Sequence, residues 1–501
     1  MSAHLSRLGK HSAVLFSANL LTRGAGILLI PVITARLTSD EFSYWEAMLL
    51  AAQLLGMVAA HGITAALMWT LKTGAETDET LNDTRSQRAI RSATTWIGLA
   101  ALAICGGGAF FGPSLARLTT AADGLGTALA LLLLAQALRL LTYPAEGVLK
   151  LRFRSPSVAA MAFSEAMVQL LGSIFALVVL DAGLLGMAWA NFAAAALRLT
   201  LALVWVPEMR KPLLDFALIK PMVHYGLPLM PGAVASVLLS LSDRWFFNRF
   251  GMASEGGLYA YGDKWARMVE FLLVLPLVGM WPAVYFNIAK EPDAKAQFGR
   301  IASLFAALGG SLAFVLTVMG PIIARLFDES AGEIFAAGAA AIGVLTAGYV
   351  LLGMNEVARA GFQITGRTRR TALAMVGAVL LNVLLNALLI PRHGMLGASW
   401  ATTLSYGTAL VFTLWLSRRV YRQEWEFGPL LHVTLVLVGG AWAISMMALP
   451  ESGLEAWLWR VPLALAGPLL LLGSGFLRGD ERAALFDKLG SLIGRVLPGR
   501  S

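Results

Sequence analysis

Fourteen apolar stretches divide this chain along its whole length, each near the roughly 20 residues a helix needs to cross the hydrocarbon core of a bilayer. They run approximately His11–Ala35, Phe42–Leu71, Ala93–Phe111, Leu125–Val148, Val158–Leu180 and Gly183–Val206, then Met222–Phe250, Gly256–Phe286, Ile301–Leu326, Ile334–Ile364, Thr371–Ile390 and Gly394–Leu416, and last Leu430–Leu449 and Ala456–Phe476. A bilayer core has no water to satisfy backbone polar groups, so such segments are expected as helices that bond internally. Only 14% of the residues are charged, against about a quarter in a soluble domain. The expected fold class is an all-α integral membrane protein.

The charges between the stretches set its orientation. An N-terminus in the cytoplasm puts Arg7 and Lys10, then Lys72, Arg85, Arg88 and Arg91, then Lys150, Arg152 and Arg154 on that side. Arg210, Lys211 and Lys220 follow, then Lys290, Lys295 and Arg300, then Arg367, Arg369 and Arg370, and Arg418, Arg419 and Arg422. The opposite loops carry only Arg36, Arg117, Arg249, Arg325, Arg392 and Arg460. Every cytoplasmic loop outscores its neighbours, as the positive-inside rule requires, and both termini are expected in the cytoplasm. The net charge of +9 is therefore an orientation signal along short loops; no nucleic-acid partner is expected, and membrane lipids are. No signal peptide is expected, because Arg23 interrupts the first stretch and no small-residue cleavage site follows.

The chain repeats itself. Gly183-Leu-Leu-Gly-Met-Ala-Trp-Ala190 matches Gly394-Met-Leu-Gly-Ala-Ser-Trp-Ala401, an offset of 211. Arg36-Leu with Tyr44 matches Arg249-Phe with Tyr259, offset by 213 at the arginine. Six spans separate the copies, an even number, so the halves share one orientation, and repeats of this kind hold a substrate site between them near the midplane. The expected organisation is a lobe of six helices (1–207), a cytoplasmic linker (208–220), a pseudo-symmetric second lobe of six (221–427), two extra helices (428–477) and an amphipathic cytoplasmic tail (478–501). The tail's apolar and basic residues suit a helix lying on the inner leaflet or one packed on the protein.

Charges inside the spans are costly, about 2.5–3.5 kcal/mol each at mid-bilayer, and so mark a wet cavity or a partner. Arg23 lies deep in the first span with no acid beside it, which makes it a candidate ligand-facing cation; Arg244, Lys264 and Arg267 would face it from the second lobe. Guanidinium holds phosphate bidentately and keeps its proton, which suits an anionic headgroup. Lys264, Arg267 and Glu270 share one helix face. Asp243, Asp263 and Glu270 either balance these cations, Asp243 with Lys264 for instance, or bind a coupling proton or Na⁺. Among the other buried charges, Glu46, Arg139, Glu165 and Arg198, an Arg139–Glu165 pair is expected, as is Glu356 with Arg359 one turn away.

Pro228, Pro231 and Gly232 interrupt the seventh span and are candidate hinges or packing bends, since proline removes a helical hydrogen bond. Tryptophans near span ends read as an aromatic belt, while Trp245 and Trp265 beside the charges could stack on sugar rings. No Walker A motif and no H-E-x-x-H occur, and the single cysteine, Cys105, excludes a disulfide or thiolate metal site within the chain. No metal, no cofactor and no enzymatic activity are expected.

Three segments carry a family resemblance: Arg359-Ala-Gly-Phe-Gln-Ile-Thr-Gly-Arg-Thr-Arg-Arg-Thr-Ala-Leu373, Leu381-Asn-Val-Leu-Leu-Asn-Ala-Leu-Leu-Ile-Pro391 and Gly394–Ala401, with Ser242–Phe246 and Gly257–Lys264 in support. They resemble the polysaccharide flippases of the multidrug/oligosaccharidyl-lipid/polysaccharide (MOP) exporter superfamily. The resemblance implies two six-helix bundles in a V around a central cavity, as in multidrug exporters of the MATE type. It also implies movement of undecaprenyl-pyrophosphate-linked oligosaccharide to the outer leaflet of a bacterial inner membrane by alternating access, with other polysaccharide-assembly membrane proteins as further partners. Ser43 stands where the family usually shows Gly before the tyrosine. The alternatives are an ion-coupled multidrug exporter of the same superfamily, whose organic cations would favour a more acidic cavity, and a membrane polymerase or ligase, for which the external loops are too short.

Overall fold

The structure is a computed structural model that describes residues 22, 24–26, 28–73, 84–152, 154–325, 335–365, 369–447, 449–479 and 481–483. Among these residues it is helical, with no strand. Arg23 and most of the 478–501 tail lie outside the described residues.

The helices of the first half are α1 (Ser39–Ala60), α2 (Ile63–Thr73), α3 (Thr84–Ala101), α4 (Gly112–Thr120), α5 (Gly126–Leu151), α6 (Ser155–Ile174) and α7 (Gly183–Trp205). The second half holds α8 (Phe216–Gly226), α9 (Met230–Arg249), α10 (Ala253–Ala266), α11 (Leu275–Ile288), α12 (Ala294–Arg325), α13 (Ala339–Ile364) and α14 (Arg369–Ser417). Two more, α15 (Phe427–Ser445) and α16 (Gly453–Gly473), pack on α12, where Phe314 and Val318 meet Val433, Leu437 and Leu471. Ten described segments are long and apolar enough to cross a bilayer. Fourteen were expected, and the difference has physical causes. The first stretch begins outside the described residues, α14 carries two spans in one run, and the seventh and eighth spans are broken into α8–α9 and α10–α11.

The repeat is structural as well as sequential. Gly183 and Gly394 both take φ of +52°, a conformation open to glycine and strained for any other residue. Gly394 bends α14 into two spans there, and Met395 N–H donates to the Glu255 carboxylate at 3.0 Å.

Among the described residues the two largest apolar cores divide mainly between the halves. One is built mainly from residues 25–222 and the other from residues 239–410. The seventh span divides its allegiance between them. Its first part, α8, packs on α2 and α3, where Gly226 meets Gly62 and Tyr225 stacks on Trp69 at 5.1 Å. The chain then passes through a 3-10 turn, Leu227–Leu229, and its second part, α9, packs on α1 and α14. Pro228 lies in that turn, and Pro231 takes the second position of α9, where a missing N–H costs nothing.

The linker before α8 is pinned to the first lobe. Arg88 pairs with Asp215 at 2.6 Å, Arg91 donates to the Lys211 carbonyl, and Leu213 and Asp215 N–H donate to Thr95 and Ser92. Arg152 bonds Glu208 at 2.6 Å and, against the cost of burial, holds that carboxyl below its usual range.

Candidate functional site

The two halves meet at repeat-equivalent helix ends. Ser39 and Ser254, at the starts of α1 and α10 and 215 residues apart like Tyr44 and Tyr259, share a hydrogen bond of 2.9 Å. One turn on, Ser43 donates to the Asn248 Oδ1 at 2.9 Å. Glycine makes this approach possible. A Cβ at Gly257 would overlap the Ser39 carbonyl, and one at Gly256 would overlap the Ser43 hydroxyl. Ser43, the residue at which the sequence departs from the pattern it resembles, is thus an interlobe donor. Trp245 Nε1 and Asn248 Nδ2 donate to the Leu118 and Thr119 carbonyls at the end of α4, extending the seal.

Below the seal Lys264 of α10 forms an ion pair with Glu46 of α1 at 2.8 Å, and its ammonium lies 5.5 Å from the Phe42 ring centroid. The lysine side chain keeps 28% exposure. Lys264 therefore joins the lobes, and the expected Asp243–Lys264 pair is replaced by this contact.

Arg244 is also placed differently from expectation. It is 1% exposed and lies against Asp243 at 2.6 Å and against Asp263, so it does not face open space. Asp263 also accepts from Arg267 Nε at 2.7 Å and from the Tyr349 hydroxyl at 2.6 Å. Arg267 reaches on to Glu270 at 3.3 Å, and Arg244 and Arg267 lie 5.1 and 5.4 Å from the ring centroids of Tyr259 and Tyr349. The physical reason is desolvation. Each ion taken from water costs several kcal/mol, so a buried guanidinium persists only where carboxylates and further donors complete the network. Asp243, Asp263 and Glu270 balance charge here, and Arg267 retains 17% exposure at the edge of the cluster. Trp245 is engaged by the Leu118 carbonyl, and Trp265 packs edge-on against Tyr261.

Among the described residues, charged side chains of the first lobe do border open space. A cavity of about 590 Å³ is lined by Arg139, Glu146 and Lys150 of α5, Glu165 and Gln169 of α6, and Asn191 and Arg198 of α7, with Gln53 of α1. A second of about 330 Å³ adjoins it through Leu49, Gln53 and Arg139. The charges form a chain. Lys150 pairs with Glu146 at 3.4 Å, Glu146 with Arg198, Arg198 with Glu165, and Glu165 with Arg139 at 2.5 Å. Three cations meet two carboxylates. The Arg139–Glu165 pair was expected from sequence, but Glu146 and Lys150 were not. The signal was present: Gln136, Arg139, Tyr143, Glu146 and Lys150 recur at helical spacing along one face of α5. The stripe runs from mid-helix to the last turn, away from the end where α5 begins beside α4 and the seal.

A sequence profile described as "Polysaccharide biosynthesis protein" matches residues 8–285, and one described as "MatE" matches residues 282–388. The Bacillus subtilis (strain 168) protein "Uncharacterized membrane protein YabM" is 25% identical over 256 residues, 48% of this chain and 46% of that protein. The match therefore spans about half of the relative's length. Among solved structures, "Lipid II flippase MurJ, inward closed conformation" superposes with a TM-score of 0.68 at 13% identity, covering 91% of this chain and 98% of that one. An inward-facing multidrug resistance MATE family transporter of the MOP superfamily gives 0.63 at 14%, covering 81% and 97%. A MOP superfamily transporter from Pyrococcus furiosus gives 0.56 at 16%, covering 82% and 95%. At these identities the likeness is one of fold.

Proposed function

The chain belongs to the polysaccharide biosynthesis protein family and has the fold of the MOP exporters, and from that premise we propose that it flips a lipid-linked oligosaccharide across the bacterial inner membrane. The observation that carries this reading is the charged first-lobe cavity, together with a seal between equivalent helix ends on the side away from it. With both termini in the cytoplasm, the seal lies at the outer face and the cavity opens inward. The pyrophosphate and sugars of an undecaprenyl-linked substrate enter that wet space while the lipid tail stays in the bilayer. Parting of Ser39 from Ser254, and of Glu46 from Lys264, then opens the outer side and frees Lys264 to meet the substrate. The turn at Pro228, with Pro231 and Gly232 just beyond it, is the hinge, because there the seventh span passes from one lobe to the seam.

A lining with three cations and two carboxylates suits an anion better than the organic cations of a multidrug exporter. In a strain lacking the protein, the lipid-linked saccharide should accumulate in the inner leaflet with surface polysaccharide lost. Altered drug susceptibility with normal surface polysaccharide would favour the exporter reading instead.

A further inference from the structure

Arg139 is only half used by the protein around it. Its Nε donates to Glu165 Oε1 at 2.5 Å, and among the described residues no partner takes either Nη nitrogen. The side chain is 20% exposed and borders both first-lobe cavities. A guanidinium presenting its two-nitrogen edge to open space is shaped for a planar or tetrahedral oxyanion. The structural explanation for Arg139, neutralising Glu165, does not require that edge, because Arg198 already holds the other oxygen of Glu165.

A second observation points the same way. Asn191 lines the larger cavity at 1% exposure, and among the described residues its amide oxygen has no hydrogen-bond partner. An unpaired buried acceptor is costly, and a ligand hydroxyl would relieve that cost. An oxyanion donor and a hydroxyl acceptor in one cavity describe the phosphate–sugar junction of a glycosyl phosphate. Lys150 extends the track: it lies 11 residues from Arg139, about 16 Å along α5, with a 42% exposed side chain at the helix's last turn.

We propose that Arg139 binds a phosphate oxyanion in the first-lobe cavity, with Asn191 accepting from an adjoining sugar hydroxyl and Lys150 drawing the anion in from the mouth. This rests on the flippase reading and names where that substrate's charged junction is held.

The test measures binding of undecaprenyl pyrophosphate, and separately of inorganic pyrophosphate, to the full chain in nanodiscs. Arg139→Lys keeps the charge and loses the fork, and should weaken undecaprenyl pyrophosphate binding by about tenfold or more with an unchanged melting temperature. Affinity within twofold of wild type in the folded variant overturns the site and leaves the flippase reading standing. Arg139-dependent binding of inorganic pyrophosphate alone supports an oxyanion site and sinks the lipid-linked substrate; binding of neither probe by the wild type overturns both. Should Arg139→Lys fail to fold, phenylglyoxal labelling of the wild type decides: pyrophosphate should protect Arg139, and equal labelling with and without it contradicts the proposal.

Discussion

Replacing Arg244 by leucine should destabilise the protein by about 3–5 kcal/mol, enough to remove the folded species from a detergent-solubilised preparation. The guanidinium is 1% exposed and stands between Asp243 and Asp263, themselves 2% and 1% exposed. Without it two carboxylates face each other in dry packing, with Arg267 and Tyr349 left to hold Asp263 and no cation beside Asp243 among the described residues. Lys264→Ala removes a cation of the same formal charge, but its pair with Glu46 is 28% exposed on the lysine side against 8% on the glutamate's, and a single carboxylate is left unpaired, so the cost should be smaller, about 1–3 kcal/mol. Melting curves of the two variants check the contrast. Equal melting temperatures would mean that the Arg244 cluster is hydrated and the burial argument is wrong.

Gly257→Ala should act on the conformational equilibrium with the fold left intact. A methyl at Gly257 meets the Ser39 backbone, which belongs to the other lobe, so the clash is relieved by parting the lobes rather than by a side-chain rotation. Overpacking of this kind costs about 1–3 kcal/mol, which lowers the population of the sealed state by about 5- to 150-fold. Spin labels on Arg36→Cys and Arg249→Cys, both exposed at the sealed end, would report a longer mean distance in this variant. Cys105 is buried and is the chain's single cysteine, which keeps such labelling specific. Transport should fall with the shift, because a lobe pair that cannot reseal cannot complete a cycle. An unchanged distance distribution would show that the contact is not a gate.

Local signals were legible in the sequence and distant ones were not. Periodic apolar stretches and the Gly183/Gly394 repeat depend on residues a few positions apart or on self-similarity, and the structure has the helices, with φ of +52° at both glycines. Arg359–Glu356 was readable because Glu356 is the one acid in its span, a turn from the arginine, and Arg139–Glu165 because the two lie on adjacent spans. Glu46 and Lys264, 218 positions apart, are joined only by the way α1 crosses α10, which no helical spacing encodes. Arg244 misled for another reason. A charge in an apolar span signals either a cavity or a buried network, and only the positions of Asp263 and Tyr349 distinguish them. The first-lobe cavity was underread because Lys150 was counted with the cytoplasmic loop charges, whereas its stem continues the polar stripe of α5.

Transport itself is the claim on which the rest depends, and leaflet-resolved flipping in proteoliposomes measures it directly. Fluorescent undecaprenyl-pyrophosphate-linked sugar incorporated with the purified chain should become accessible to a membrane-impermeant reductant from both leaflets within minutes, and Arg139→Gln should return it to the rate of empty vesicles. If the wild-type protein leaves the inner-leaflet pool as protected as protein-free vesicles do, the chain does not flip this substrate and the account fails.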